Sequence, residues 1–244
     1  MRELLKFIIV LAVVCGASLK TQATIVEFPM TLEEIIEGDN RFEYGDKIFS
    51  DFDMKVISST PGYDPDKSSI TVEPVEFNGV LGLVFQSAWG VTDGEYLDVQ
   101  LDFKVSVAGW SERSIIGVDN NMLNSTAAGE QVVGQNSQAT ISESVFSNEP
   151  LSPHPNNIAK LDTFDLADPG IDQLHDHASF APIKEIYVTK DIYLYASSDE
   201  LGDYGVANLS QFTQWFHQTP VPEPMTMVML GMGGLLVARK KRNR

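Results

Sequence analysis

The stretch Tyr96–Ala108, YLDVQLDFKVSVA, alternates without a break. Leu97, Val99, Leu101, Phe103, Val105 and Val107 fall on one side, and Asp98, Gln100, Asp102, Lys104 and Ser106 on the other. A period of two held this long is a β-strand with one face on a core and the other in water, and half-solvated sheets are antiparallel. Neighbouring stretches repeat the signal. Ile70–Phe77 and Val80–Phe85 flank Asn78-Gly79, a dipeptide that suits a tight hairpin turn. Further strands are expected at Ser114–Val118, Gln131–Gly134, Ala139–Phe146, Ile158–Phe164, Glu185–Thr189 and Ile192–Ala196.

Upstream, Lys47–Ile57 also alternates. Ile48, Phe52, Met54 and Val56 are expected on one face, with Asp51, Asp53 and Lys55 opposite. Before it, Thr31-Leu-Glu-Glu34 has the spacing of a capping box, so a short helix should open at Thr31 and end near Gly38. Pro61–Lys67 and Ser147–Asn157 read as loops. The segment Asn208–Gln218 fits two patterns. Leu209, Phe212 and Phe216 suit a helix; Phe212, Gln214 and Phe216 suit a strand, and the strand is preferred. Many short strands separated by turn signals predict an all-β antiparallel sandwich, jelly-roll-like, with an N-terminal signal helix and a short C-terminal transmembrane helix.

Charge limits the partners. The chain of 244 residues has a formal net charge of −17. Its two ends hold 8 of the 17 basic residues, and 32 of the 34 acids lie between them, so the body Thr24–Pro220 carries −23. Such a body repels nucleic acid, whose binding rests on neutralising phosphates. The only cysteine is Cys15, inside the apolar N-terminal run. The body therefore has no disulfide, no thiolate metal site and no cysteine nucleophile, and must rely on its core.

The ends read as an address. Arg2 and Lys6 precede an apolar run from Phe7 to Ala17, too short to span a bilayer but suited to a secretory signal peptide over residues 1–23. Cleavage fits after Ala17 or after Ala23, and Val14 before Cys15 argues against a lipoprotein signal. At the other end, Pro222-Glu223-Pro224 precedes the apolar run Met225–Ala238 with Gly231, Gly233 and Gly234, then Arg239, Lys240, Lys241 and Arg242. The run is short for a span, but the basic residues after it can snorkel, and they should stay on the cytoplasmic side.

Residues 221–244 resemble the PEP-CTERM sorting domain in the order, spacing and terminal position of these three features. The opening TLEEII (31–36) with GDKIFSDF (45–52) is similar to one that recurs in such proteins. The resemblance implies recognition by exosortase, a membrane-embedded sorting protease of Gram-negative exopolysaccharide producers. Pro222, Glu223 and Pro224 would be the recognition residues, and Arg239, Lys240, Lys241 and Arg242 the cytoplasmic stop. The exported domain 24–220 would then pass from a transient inner-membrane anchor to the cell surface or extracellular matrix.

No nucleophile elbow, H-E-x-x-H helix, P-loop or dinucleotide fingerprint occurs. His175-Asp176-His177 places two imidazoles at strand spacing, but with Pro169-Gly170 nearby and no third ligand fixed by spacing it reads as a polar loop. Asp168 and Asp172 add carboxylates there. Asp64–Asp66 and Asp162–Asp176 are acid-rich loops to which calcium could bind, without an EF-hand pattern. Asp93, Glu95, Asp98 and Asp102 could supply the two carboxylates of a glycosidase by count alone, and Trp89, Trp110 and Trp215 could stack on sugars, though aromatics are more often buried. The expectation is a non-enzymatic surface or matrix protein associated with exopolysaccharide or biofilm, without a required cofactor. The alternative is a carbohydrate-binding module, calcium-assisted; the third is a surface hydrolase.

Overall fold

The alternation of Tyr96–Ala108 is realised in full. In a computed structural model describing residues 28–63, 65–128, 137–150, 152–153, 155–167, 172–197 and 205–219, Tyr96–Val107 is a strand whose odd-numbered residues are all buried. In chain order the elements are β1 (Met30–Thr31), α1 (Leu32–Glu37), β2 (Arg41–Tyr44), β3 (Lys47–Ser59), β4 (Thr71–Phe77), β5 (Val80–Thr92), β6 (Tyr96–Val107), β7 (Ile115–Ala128), β8 (Gln138–Phe146), β9 (Asn157–Leu166), β10 (His175–Ile183), β11 (Glu185–Tyr195) and β12 (Val206–Gln218). The first sheet runs β1-β4-β5-β12-β7-β10 and the second β2-β3-β6-β11-β8-β9, with every pair antiparallel. From β5 onward the strands sort as β5-β12-β7-β10 against β6-β11-β8-β9. That is the strand order of a jelly roll, as expected.

Tight turns set the registers. Asn78 and Gly79 have φ of 51° and 78°, and Asp93 and Gly94 have 49° and 79°. Positive φ at both central residues is the type I′ geometry that matches strand twist. The first joins β4 to β5, and the second carries the chain from β5 in one sheet to β6 in the other.

The capping box forms. Thr31 N donates to Glu34 Oε2 at 2.8 Å, and Glu34 N donates to Thr31 Oγ1 at 3.1 Å. Leu32 and Ile35 then enter the core.

Strand β3 differs from its expected pattern. Ile48 does not share a face with Phe52, because Asp51 has φ of 57° and the pairing with β6 shifts between Ser50 and Asp53. The extra residue is a β-bulge, which inverts parity. Phe49 is therefore inward before it and Phe52, Met54 after it. Asn40 stabilises the bulge: its Oδ1 accepts from Phe52 N at 2.8 Å and its Nδ2 donates to Phe52 O at 3.1 Å. Two further readings change. Glu185–Thr189 and Ile192–Ala196 are one strand, β11, and His175–His177 begins β10 rather than lying in a loop. The ambiguous last segment is strand β12, with Phe212, Gln214 and Phe216 all inward.

The core is aromatic at its centre. Phe103 of the second sheet lies 5.5 Å from Phe52, 5.7 Å from Phe85 and 6.5 Å from Phe216, and the last two belong to the first sheet. The signal segment 1–23, the strand expected at 131–134 and the sorting segment 221–244 lie outside the described residues. Among the described residues, no helix is long and apolar enough to cross a membrane.

Candidate functional site

The alternation that buries Leu97–Val107 turns an equal row of polar residues outward. On the outer face of the second sheet, β6 presents Tyr96, Asp98, Gln100, Asp102 and Lys104, and its neighbour β11 presents Tyr187, Thr189, Asp191, Tyr193 and Tyr195. A groove of about 400 Å³ crosses this face, lined by Asp53, Lys55, Gln100, Asp102, Tyr187 and Thr189 and bounded by Asp51 on one side and Glu149 and Pro150 on the other. Tyr96 and Tyr195 are paired across the strands farther along the face. Tyr187 and Tyr193 are six residues apart, roughly 20 Å along a strand.

The polar groups of the face are held by one another. Lys55 Nζ is 2.8 Å from Asp53 Oδ2 and holds that carboxyl below its ordinary range. Gln100 Nε2 donates to Asp102 Oδ2 at 2.6 Å. Lys104 Nζ is 2.8 Å from Glu185 Oε2 and 5.2 Å from the centre of the Tyr187 ring. Burial, and then a hydrogen bond shared with Asp191, push the Asp98 carboxyl up to about 6.

A second cluster lies on the outer face of the first sheet. Asp119 of β7 is paired directly with His177 of β10, and β12 on its other side brings His217. His177 Nδ1 contacts Asp119 Oδ1, His217 Nε2 is 2.8 Å from Asp119 Oδ2, and His175 Nε2 is 3.8 Å from the same oxygen. One ligand atom from each of Asp119, His177 and His217 falls within 4.8 Å of the others. Burial would raise the Asp119 carboxyl, but the hydrogen bond with His177 and the close His217 imidazole outweigh it and hold it low. His217 Nε2, though close to Asp119, is buried and lacks hydrogen-bond geometry to any described residue. Two imidazoles and one carboxylate make a donor set suited to zinc, copper or nickel. Of this set, the H-D-H motif revealed only His177. Asp119 and His217 are remote in sequence, and only the β7–β10 and β7–β12 pairings bring them in.

The other sequence candidates disperse. Asp162 Oδ1 accepts from Ser142, Asp172 Oδ1 from Leu166 N, and Asp176 Oδ2 from Asp162 N, so these acids of the expected calcium loop brace the β8–β9–β10 region. Glu95 Oε2 closes the β5–β6 turn by accepting from Thr92 N at 3.0 Å. Trp89 is buried; Trp215 is half-buried, 6.5 Å from Phe77; and Trp110 is 74% exposed at the end of the sandwich. Asp64, Asp168, Pro222, Glu223, Pro224, Arg239, Lys240, Lys241 and Arg242 lie outside the described residues.

No protein-family model matches the chain, and no curated protein matches it. Among solved structures it is similar to TmCBM61 in complex with β-1,4-galactotriose, at 11% identity and a TM-score of 0.28, covering 68% of this chain and 88% of that one. A loop-swap mutant of Necallimastix patriciarum Xyn11A is similar at 7% identity and a TM-score of 0.17, covering 60% of this chain and 95% of that one.

Proposed function

We propose that this chain is an exported, non-enzymatic surface or matrix protein, sorted by exosortase through residues 221–244, whose sandwich binds polysaccharide along the outer face of the second sheet. The observation that carries the binding reading is the groove beside Tyr187, lined by Asp53, Gln100, Asp102 and Thr189. An aromatic ring offers a sugar's C–H face an apolar surface, while carboxylates and amides meet its hydroxyls. The tyrosines along β11 suit an extended chain more than a single sugar.

The test is calorimetric titration with exopolysaccharide fragments from a producing host. Tyr187→Ala removes a ring contact worth about 1.5 kcal/mol and should weaken binding about tenfold. Trp110→Ala, outside the groove, should bind as wild type does. Equal affinity of Tyr187→Ala and wild type, or no binding by wild type, refutes the groove as the site.

A second reading rests on Asp119, His177 and His217: the sandwich holds a divalent transition-metal ion on the outer face of its first sheet. Zinc titration should give one tight site per chain. His177→Ala and His217→Ala should each weaken it at least as much as loss of an outer-shell partner does, about 10–100-fold. Unchanged zinc affinity in both variants overturns it.

A further inference from the structure

Independently of both readings, three side chains stand where the alternation of their strands calls for apolar residues. Lys190 shares the inward row of β11 with Ile186, Val188, Ile192 and Leu194, and Glu143 lies directly opposite it on β8. Asn120 comes inward from β7 of the other sheet. All three are fully buried. Lys190 Nζ donates to Glu143 Oε2 at 2.5 Å and to Asn120 Oδ1 at 3.0 Å, beneath the Phe212 ring. Asn120 Nδ2 donates to Thr163 Oγ1 at 3.0 Å, which fixes the orientation of the carboxamide. Glu143 Oε1 has no partner among the described residues.

Stability alone does not account for this group, since apolar residues of similar volume serve a core as well or better than a buried ion pair. The group has instead the parts of an acyl-transfer reaction: an amine, a carboxamide carbon, and a carboxyl to carry the proton between them. Burial favours the neutral, nucleophilic form of the Lys190 amine. Water, the competing nucleophile, is excluded from a packed core.

We propose that Lys190 and Asn120 join in an intramolecular amide bond that ties the two sheets together across the core. The Lys190 ammonium passes one proton to Glu143. The Nζ lone pair then adds to Asn120 Cγ. The proton that Nζ sheds moves by way of Glu143 to Nδ2, the Cγ–Nδ2 bond breaks, and the amide nitrogen leaves as ammonia. The departing ammonia takes the first proton as well and exits as ammonium, so Glu143 ends as the carboxylate it was. An ammonium and a carboxamide become a secondary amide and ammonium, and no oxidant or cofactor is consumed. Lys190 and Asn120 are 70 residues apart in sequence. A cross-link of that span would give a body without cysteine the kind of constraint a disulfide supplies elsewhere.

The test is mass spectrometry of the full chain, purified folded and then digested with trypsin under denaturing conditions. The expected result is loss of the mass of one ammonia, failure of cleavage after Lys190, and a branched peptide joining the Lys190 and Asn120 segments. Glu143→Gln keeps the volume and a hydrogen bond but cannot carry the proton; it should fold and retain the full mass. Lys190→Met should also retain the full mass, at a lower melting temperature than wild type. Full mass and normal cleavage after Lys190 in wild type overturn the proposal. Loss of water rather than ammonia would join Lys190 to Glu143 and overturn Asn120 as the partner. A branched peptide in Glu143→Gln overturns the role of Glu143.

Discussion

Phe103→Ala is expected to lower stability by about 3–5 kcal/mol, the usual cost of truncating a buried phenylalanine. Phe103 is 2% exposed and sits where the two sheets meet, against Phe52, Phe85 and Phe216. The strands around it are fixed by ladder hydrogen bonds on both sides, so the surroundings cannot close over the lost ring. For a chain of this size the change is a melting temperature lower by roughly 6–20 °C, read by calorimetry or circular dichroism. Phe77→Ala is the contrast. Phe77 is 67% exposed, and its loss should change stability by no more than about 0.5 kcal/mol. Equal effects of the two substitutions would disprove the central role given to Phe103.

Replacing Pro222, Glu223 and Pro224 together with alanine is expected to abolish sorting. In a host with exosortase, wild type should lose both its signal segment and residues beyond the Pro-Glu-Pro motif. The triple variant should keep residues 225–244 and remain with the membrane. Intact mass and cell fractionation read the difference. Retention of residues 225–244 by wild type would make the chain a tail-anchored membrane protein instead. Neither the groove beside Tyr187 nor the Lys190–Asn120 bond depends on this outcome, because both reside in the body.

The two faces of the sandwich were not equally legible. Strand β6 could be read residue by residue because nothing interrupts its period. The β4–β5 hairpin was legible from Asn78-Gly79, since few residues tolerate positive φ at both central positions. Asp51 hid the course of β3, because a bulge adds one residue and reverses parity without any compositional mark of its own. His175–His177 read as a loop because the alternation of β10 is weak at its exposed edge of the sheet. The Tyr187 groove was missed because its residues come from β3, β6 and β11, each individually an ordinary polar row.

The sequence by itself determined the class of fold and the disulfide-free, acidic body, because these follow from local period and composition. Only the tertiary structure decided which polar residues meet. Asp119 gathers His177 and His217, and Lys190 meets Asn120 across the core. The reason is the winding of the jelly roll, which places strands remote in sequence side by side and gives a buried lysine partners that no spacing along the chain could reveal.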